Sequence, residues 1–574
     1  MESTLYRVLQ RAASLNLEGA GFRYLDRREQ AVFRSFPDLA CRAGRLAAGL
    51  VKQGVTSGDT VAIVLPTTPE FTDIFFACCH IGAIPVPLYP PVRLGRLDEY
   101  FERTATMLSQ VEAKIMVTDA RVGKLMGSVV ARYRPPAGMH RVDSLLEDVA
   151  CTPQPPKPDD VAMVQFSSGT TGAPKPVVLT HRQVLSNANA ILDIEPDDDD
   201  FSPSAVSWLP LYHDMGLIGC VIPALMYPAE LTLIPPEAFL AKPALWLRAI
   251  SRYRGLISPA PNFAYALAVE RIQDDQLEGV DLSCWRFALN GAEPTSADTM
   301  RAFIDRFAAW GLRPEALTPV YGLSEAALAV TFGEADAPFL SRHFDAQELS
   351  GGRAVIVESG AEISSVGRPL RGFEIQIRDG SGSVLSDGHI GRLWASGPSV
   401  MDRYLDGSPP PRDGDWLDTG DLGFVLEEEL YITGRAKDVI IIRGRNHNPH
   451  TLEVPLDTVD GVRTGCSAVV SEIQGGGERI FVFVETRGEV ADDLAERCRV
   501  AVRAATGVDP DVVIPLAAGT LPRTSSGKIR RCETMARWQA GTLVAPKAVT
   551  PLRMAGALAR SAWSEWNARH SPSD

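Results

Sequence analysis

Short runs of consecutive apolar residues alternate with longer stretches in which apolar residues recur every three or four positions. The runs 60–65 (TVAIVL), 114–117 (KIMV) and 161–166 (VAMVQF) read as strands buried on both faces, and 71–80 and 182–191 as helices. This alternation predicts parallel sheets covered by helices. After about Ile432 the pattern changes: short strands at 439–442, 467–470 and 480–485 surround one helix in which Leu494, Cys498, Val502 and Ala505 share a face and Gly507 can cap the end. The fold class expected is therefore α/β, with a large N-terminal body of layered β-sheets flanked by helices (1–433) and a small C-terminal α+β domain (439–540). Segment 541–574 carries Pro546 and Pro551 and then an amphipathic helical pattern with Trp563 and Trp566, which is expected to pack back on the body because exposed tryptophans are costly. The proline-rich stretch 153–158 reads as a surface connector, and the acidic run 197–200 as a solvated loop.

Composition narrows the function. With 45% hydrophobic, 22% charged and 7% aromatic residues, the 574-residue chain is of ordinary globular type. Its 57 basic and 71 acidic residues leave a net charge of −14, which argues against a nucleic-acid partner bound through bulk charge. The longest apolar stretch, 215–229, is shorter than a membrane span and is interrupted by Pro223 and Pro228. No basic region followed by an apolar block opens the chain, so a cytoplasmic location is expected. The nine cysteines show no Cys-x-x-Cys spacing and read as reduced core thiols.

The segment VQFSSGTTGAPKP (164–176) carries the first chemistry. A strand delivers a loop of Ser167, Ser168, Gly169, Thr170, Thr171 and Gly172 with Lys175 just beyond, and a helix follows with Thr180 as N-cap. Glycines let backbone N–H groups turn toward an anion while hydroxyls and a lysine add donors, which suits polyphosphate. The Gly-Lys-Ser/Thr ending of a Walker A loop is absent. Six further segments follow in order: SWLPLYHDMGL (207–217), NGAEP (290–294), VYGLSEA (320–326), WLDTGDLG (416–423), YITGRAKD (431–438) and LPRTSSGKI (521–529).

Together these seven segments resemble the core motifs of the adenylate-forming superfamily of acyl-CoA synthetases, peptide-synthetase adenylation domains and luciferases, over about residues 5–540. The chain looks most like a fatty acyl-AMP ligase. The resemblance implies an enzyme that uses ATP and Mg²⁺ to convert a fatty or similarly apolar acid to acyl-AMP and pyrophosphate, and then passes the acyl group to the phosphopantetheine thiol of an acyl carrier protein. It also implies roles. Glu325 would hold Mg²⁺, and Thr170, Thr171 and Lys175 would embrace the β- and γ-phosphates. Asn290, Gly291, Ala292 and Glu293 would line the adenine site with Tyr321 stacked on the ring. Asp421 would meet the ribose with Arg435 close by, Lys528 would reach the carboxylate and α-phosphate, and His213 would gate the acyl pocket. Lys437, within 434–438, would be the hinge about which the small domain turns.

Three features point to the acyl-AMP ligase branch over an acyl-CoA synthetase. Glu325 lies 42 residues before Gly367, leaving room for an insertion at 332–364 that marks the branch. The fragment GGRAVIV (351–357) looks like a strand of that insertion, and PLYPP (87–91), LPLYHDMG (209–216) and RGRNH (443–447) are close to the branch's wording. Departures are Pro176 where glycine is usual, Val366 where cysteine is frequent and Asn448 where an aromatic residue is frequent. A nucleotide-binding scaffold without activity is disfavoured because every charged motif residue is present. Carrier proteins are often acidic, so Arg443, Arg445, Arg530 and Arg531 are candidates for a basic docking patch.

Overall fold

A computed structural model describes residues 2–91, 94–167, 174–193, 204–442, 445–474, 477–488, 490–524, 527–546 and 551–570. The run at 60–65 becomes the strand Thr60–Val64, which lies between Ile84–Leu88 and Ile115–Thr118, with Met139–Arg141 beyond, all parallel. Every residue of the first three strands is buried, the reason their sequences are nearly continuous apolar runs. Helix Pro69–Ile81 covers this sheet and is itself buried from Phe71 to Ile81.

A second sheet runs from Ala31–Ser35 and Gly21–Leu25 through Glu230–Leu233 to Ala205–Ser207. Bridges at Ile257 and Ala260 carry it on to Ala288–Asn290, Leu317–Gly322 and Ala329–Phe332. Trp246 packs edge-on against Trp208, Phe239, Tyr265 and Trp285 beside these strands, a cluster that fixes their separation. A third sheet, antiparallel, joins Glu374–Arg378, Gly391–Ser396, Trp416–Leu426 and Glu429–Arg435.

Two local expectations need correction. The strand Val161–Phe166, expected in a parallel sheet, pairs antiparallel with Pro176–Thr180, the strand that precedes the helix. Thr180 nevertheless caps His181–Leu192 through a capping box with Gln183. Pro176 is the first residue of its strand, where a missing N–H costs little. Secondly, 351–357 forms no strand and contributes only isolated bridges at Arg353 and Ile356. The segment 332–364 is instead built on the hairpin Ser341–Phe344 with Ala361–Ser364. Phe344 anchors it edge-on to the stacked pair Phe424 and Tyr431, whose ring centroids are 5.0 Å apart, and Arg301 holds Glu362 with both guanidinium nitrogens.

Residues beyond Ile440 build cores of their own. One gathers Ile440, Leu452, Leu456, Val469 and Val482 with Leu494, Cys498 and Val502 of helix Leu494–Thr506, and the other gathers Ala468, Phe483, Leu521 and Met535. Gly507 caps that helix at φ 71°, but Ala505 is exposed, the buried face ending at Val502. Their strands are Val462–Gln474, Gly477–Thr486 and Val512–Leu516, with a separate hairpin Ile440–Ile442 and Arg445–His447. All nine cysteines are free; Cys41 and Cys532 are exposed, so the reading of core thiols holds for the buried Cys78, Cys79, Cys220 and Cys498. Among the described residues no helix is long and apolar enough to cross a membrane.

The helix Pro551–His570 returns to the N-terminal part of the chain and packs on Ala120–Val130. Its contact face is small rather than aromatic. Ser561 accepts a hydrogen bond from the Gly127 N–H at 2.8 Å, Ala557 is buried, and Trp563 stays 66% exposed. The Trp566 side chain lies outside the described residues. A Cβ on Gly127 would stand 2.0 Å from the Ser561 carbonyl oxygen, so the backbones meet only because residue 127 has no side chain. Gly127→Val is therefore expected to release the tail helix, and hydrogen exchange at 555–564 should speed up more than tenfold while the strands around Thr60–Val64 keep their protection. Unchanged exchange at 555–564 would show that the docking does not depend on this contact.

Candidate active site

The elements above bring seven dispersed segments to one cleft of about 620 Å³. Its wall includes Ser167, Lys175, His213, Ala292, Tyr321, Glu325, Arg435, Lys437 and Lys528 from the residues singled out in the sequence. Ser168, Gly169, Thr170, Thr171 and Gly172 lie outside the described residues. The base of their loop is closed by two hydrogen bonds, Ser167 N–H to the Lys175 carbonyl at 2.9 Å and Lys175 N–H to Ser167 Oγ at 3.3 Å.

Glu325 sits in the short turn Ser324–Ala326, held by the Met401 N–H on its carbonyl. Burial pushes its carboxyl above the ordinary range, with Asp214 and Asp421 adding to the rise and Arg435 opposing it. The Tyr404 hydroxyl reaches Glu325 Oε1 at 3.5 Å, and the Lys175 ammonium lies 4.6 Å from the Tyr404 ring centroid, so one aromatic ring separates the acid from the lysine. Tyr404 was not found in the sequence; it stands outside the seven segments, and its place is set by the bridge Val177–Tyr404 and by the Leu405 N–H to the Pro176 carbonyl.

Asp421 is aimed by a register shift between Gly391–Ser396 and Trp416–Leu426. Gly420, at φ 77°, turns there with its N–H on Asp418, and Asp418 is itself gripped by Arg392, a second residue without a sequence signal. Asp421 then receives the Tyr321 hydroxyl at 2.7 Å and Arg435 Nε at 3.1 Å. The neighbouring Asp421 raises the Arg435 guanidinium further, against its burial.

His213 caps the turn Asp214–Gly216, with Nδ1 2.6 Å from Asp214 Oδ1. Burial would raise the Asp214 carboxyl, but His213 and the hydroxyl of Ser324 hold it down at about 2. Asn290 is fully buried and donates to Asn262 Oδ1 at 3.1 Å, leaving its own Oδ1 without a hydrogen bond among the described residues. Gly291 passes Val320 where a Cβ would fall 2.5 Å from Cγ2, and Glu293 accepts the Phe263 N–H. Of the segment 290–293, Ala292 faces the cleft and carries a left-handed φ of 66°.

Lys528 arrives from the C-terminal part of the chain. Thr524 N–H donates to its carbonyl at 2.8 Å, and its own N–H donates to Thr524 Oγ1 at 3.0 Å. Burial depresses the ammonium below the ordinary lysine range, Arg435 depresses it further, and Asp214, Glu293 and Asp421 oppose the fall. Of the four arginines considered for a basic patch, Arg530 is 6% exposed and Arg531 is engaged by Glu453 and Asp438, so neither forms an open surface; Arg443 and the Arg445 side chain lie outside the described residues. Asn448 caps Pro449–Glu453 and packs against Gly434, where a Cβ would fall 2.3 Å from its Nδ2.

A family description, AMP-binding enzyme, matches residues 24–405, and the chain belongs to that family, whose members use ATP. The chain is 32% identical to the 4-hydroxyphenylalkanoate adenylyltransferase of Mycobacterium marinum, over 94% of its own length and 92% of the relative's. It is 30% identical to the medium-chain-fatty-acid–[acyl-carrier-protein] ligase JamA of Moorena producens, over 94% and 96%. Among solved structures, one from a study of fatty acyl-adenylate ligases of E. coli and L. pneumophila superposes with a TM-score of 0.86 at 32% identity, covering 94% of this chain and 98% of that one. The fold is that of the adenylate-forming enzymes, and the chain is an adenylate-forming ligase.

The depressed Lys528 has a measurable consequence. Its charge is present below its lowered pKa and lost as pH rises through it, so affinity for AMP should begin to fall at a pH below the ordinary lysine value of about 10.4. Calorimetric titration should show that step in the native protein and not in Lys528→Gln. A step confined to the ordinary lysine range would contradict the burial.

Proposed function

We propose that the protein joins a fatty or similarly apolar carboxylic acid to ATP, releasing pyrophosphate, and then transfers the acyl group from acyl-AMP to the phosphopantetheine thiol of an acyl carrier protein. The observation that carries this reading is the meeting of Glu325 and Lys528, both half-buried and without a salt-bridge partner among the described residues, in one cleft with Lys175 and with Arg435, which Asp421 holds. A carboxylate attacking an α-phosphate brings two anions together, so cationic groups fixed beforehand in a water-poor site lower the barrier more than flexible ones at a surface.

In this reading Lys175, Ser167 and the 168–172 loop hold the β- and γ-phosphates. Tyr321 stacks on the adenine, with Ala292 and its neighbours Asn290, Gly291 and Glu293 forming the edge of that site. Asp421 accepts the ribose hydroxyls beside Arg435. Lys528 bridges the carboxylate and the α-phosphate, and His213, fixed by Asp214, stands where the acyl chain enters. Glu325 suits Mg²⁺, which takes few protein carboxylates and completes its shell with water and phosphate oxygens. Bound there, the ion would neutralise phosphate charge. The acyl tail would lie among Met215, Gly219, Leu328 and Phe332, which line the apolar part of the cleft.

After adenylation the part of the chain beyond Lys437 turns about 434–438, withdrawing Lys528 and admitting the carrier's thiol. The names of JamA and of a peptide-synthetase adenylation–carrier structure, 25% identical with a TM-score of 0.82, support a carrier as acceptor. The hairpin built into 332–364 supports it over CoA.

Mass spectrometry of reactions with Mg-ATP and a panel of fatty acids tests the reading. Acyl-AMP should accumulate, persist when CoA is added and be consumed by a phosphopantetheinylated carrier protein. Rapid acyl-CoA formation would overturn the choice of acceptor, and no acyl-AMP from any acid would overturn the substrate class. Lys528→Ala should slow acyl-AMP formation roughly 10²- to 10³-fold. Lys437→Pro should spare that step and depress transfer; equal loss of both would refute the hinge.

A further inference from the structure

The Lys528 segment is gripped at both ends by one helix of the N-terminal body. From the turn Leu94–Arg96, the Arg96 guanidinium donates to the Thr520 carbonyl at 3.0 Å, the Val544 carbonyl at 3.3 Å and the Gly519 carbonyl at 3.4 Å. One turn later, on the helix Leu97–Gln110, both oxygens of Glu99 accept Arg537 at 3.0 and 2.9 Å. A turn further on, Arg103 lies 3.5 Å from Glu533, which also accepts Arg530 and Arg537. The signs alternate along the whole contact, Arg96, Glu99, Arg537, Glu533, Arg103.

These grips bracket the catalytic segment. Thr520 and Gly519 precede Leu521, where the segment begins, and Arg530 and Glu533 follow two and five residues after Lys528. Between them the segment is internally tied, by the bridge Arg523–Ile529, by Arg530 N–H on the Pro522 carbonyl and by Leu521 N–H on Glu485. The two grips thus lie at the two ends of the described residues that carry Lys528. Glu99 is half exposed and Arg537 is 22% exposed, so the pairs are screened and individually weak, which suits a contact that must open once per turnover.

We propose that Arg96, Glu99 and Arg103 are positioning residues that hold the Lys528 segment in the cleft, and that their release is what frees it. The assignment rests on the reading of Lys528 given above for its effect on catalysis, but not for its effect on placement. Arg96 shares the two hydrogens of one guanidinium nitrogen, Nη2, among three main-chain carbonyls, so its grip does not depend on the side chains at 520 or 544, whereas the Glu99 and Arg103 contacts depend on charge.

The test reads placement and rate separately in the full chain. Amine-reactive labelling followed by mass spectrometry measures how fast Lys528 is modified, with the exposed Lys52 as internal control. In Arg96→Ala/Glu99→Arg, Lys528 should be labelled roughly five to ten times faster with Lys52 and the melting temperature unchanged, and Arg103→Ala should give a smaller change in the same direction. Adding Arg537→Glu to Glu99→Arg should restore part of the protection. In the same variants kcat for acyl-AMP formation should fall several-fold with KM for ATP nearly unchanged, and transfer from preformed acyl-AMP should not fall. Lys528 labelling unaltered in all these variants overturns the proposal. Faster labelling with equal losses in both half-reactions overturns the positioning role. Faster labelling in a protein that forms no acyl-AMP even in its native form leaves the grip standing and removes the functional reading instead.

Discussion

The chemistry of the cleft depends on two half-buried charges, Glu325 and Lys528, that have no salt-bridge partner among the described residues. Glu325 is raised by burial and by the acids around it, and Lys528 is lowered by burial and by Arg435. Each is uncomfortable as it stands. Such groups persist only where the surrounding structure is stable enough to hold them, and they favour a ligand that brings the missing charges. In the function proposed, a nucleotide triphosphate would do so for Lys528 and Lys175, and a divalent cation for Glu325, while Arg435 is already held by Asp421.

The fold supplies the rigidity at places where regular structure is interrupted. Asp421 projects at a register shift between two strands, Ala292 turns at a left-handed φ past Val320, and Glu325 lies in a turn pinned by Met401. The carboxylate of Asp421 is fixed by Tyr321 from one sheet and Arg435 from another. Lys528 alone is brought by a part of the chain with separate cores, so its arrival depends on weak polar contacts rather than on packing. That division, a rigid cleft and a loosely held cation, suits the two-step reaction proposed above.

Much of this was legible in the residues. Continuous apolar runs marked the buried strands at Thr60–Val64 and Ile115–Thr118, and the cap at Thr180 and the glycine at 507 were correctly placed. The hairpin at Val161–Phe166 was not legible, because a buried strand looks the same whether its neighbour runs parallel or antiparallel. The fragment 351–357 has strand-forming residues but meets no continuous partner edge, so Val355 and Ile356 remain partly exposed. Trp563 was expected to direct the tail helix, whereas Gly127 and Ser561 do, since close backbone approach needs small residues and leaves no periodic signal. Tyr404 and Arg392 reach the site only through tertiary pairing, and two of the arginines read as a surface patch, Arg530 and Arg531, are consumed by Glu533, Glu453 and Asp438.

The central claim is that the cleft aligns a carboxylate with the α-phosphate. The direct measurement uses a fatty acid labelled with ¹⁸O in its carboxyl group, Mg-ATP and an acyl acceptor, followed by mass spectrometry of the products. Attack of a carboxylate oxygen on the α-phosphorus, with pyrophosphate leaving, places one labelled oxygen in the AMP released when the thiol takes the acyl group. The account predicts label in AMP and none in pyrophosphate or phosphate. Label in inorganic phosphate with unlabelled nucleotide would mean activation at the γ-phosphate and would contradict it.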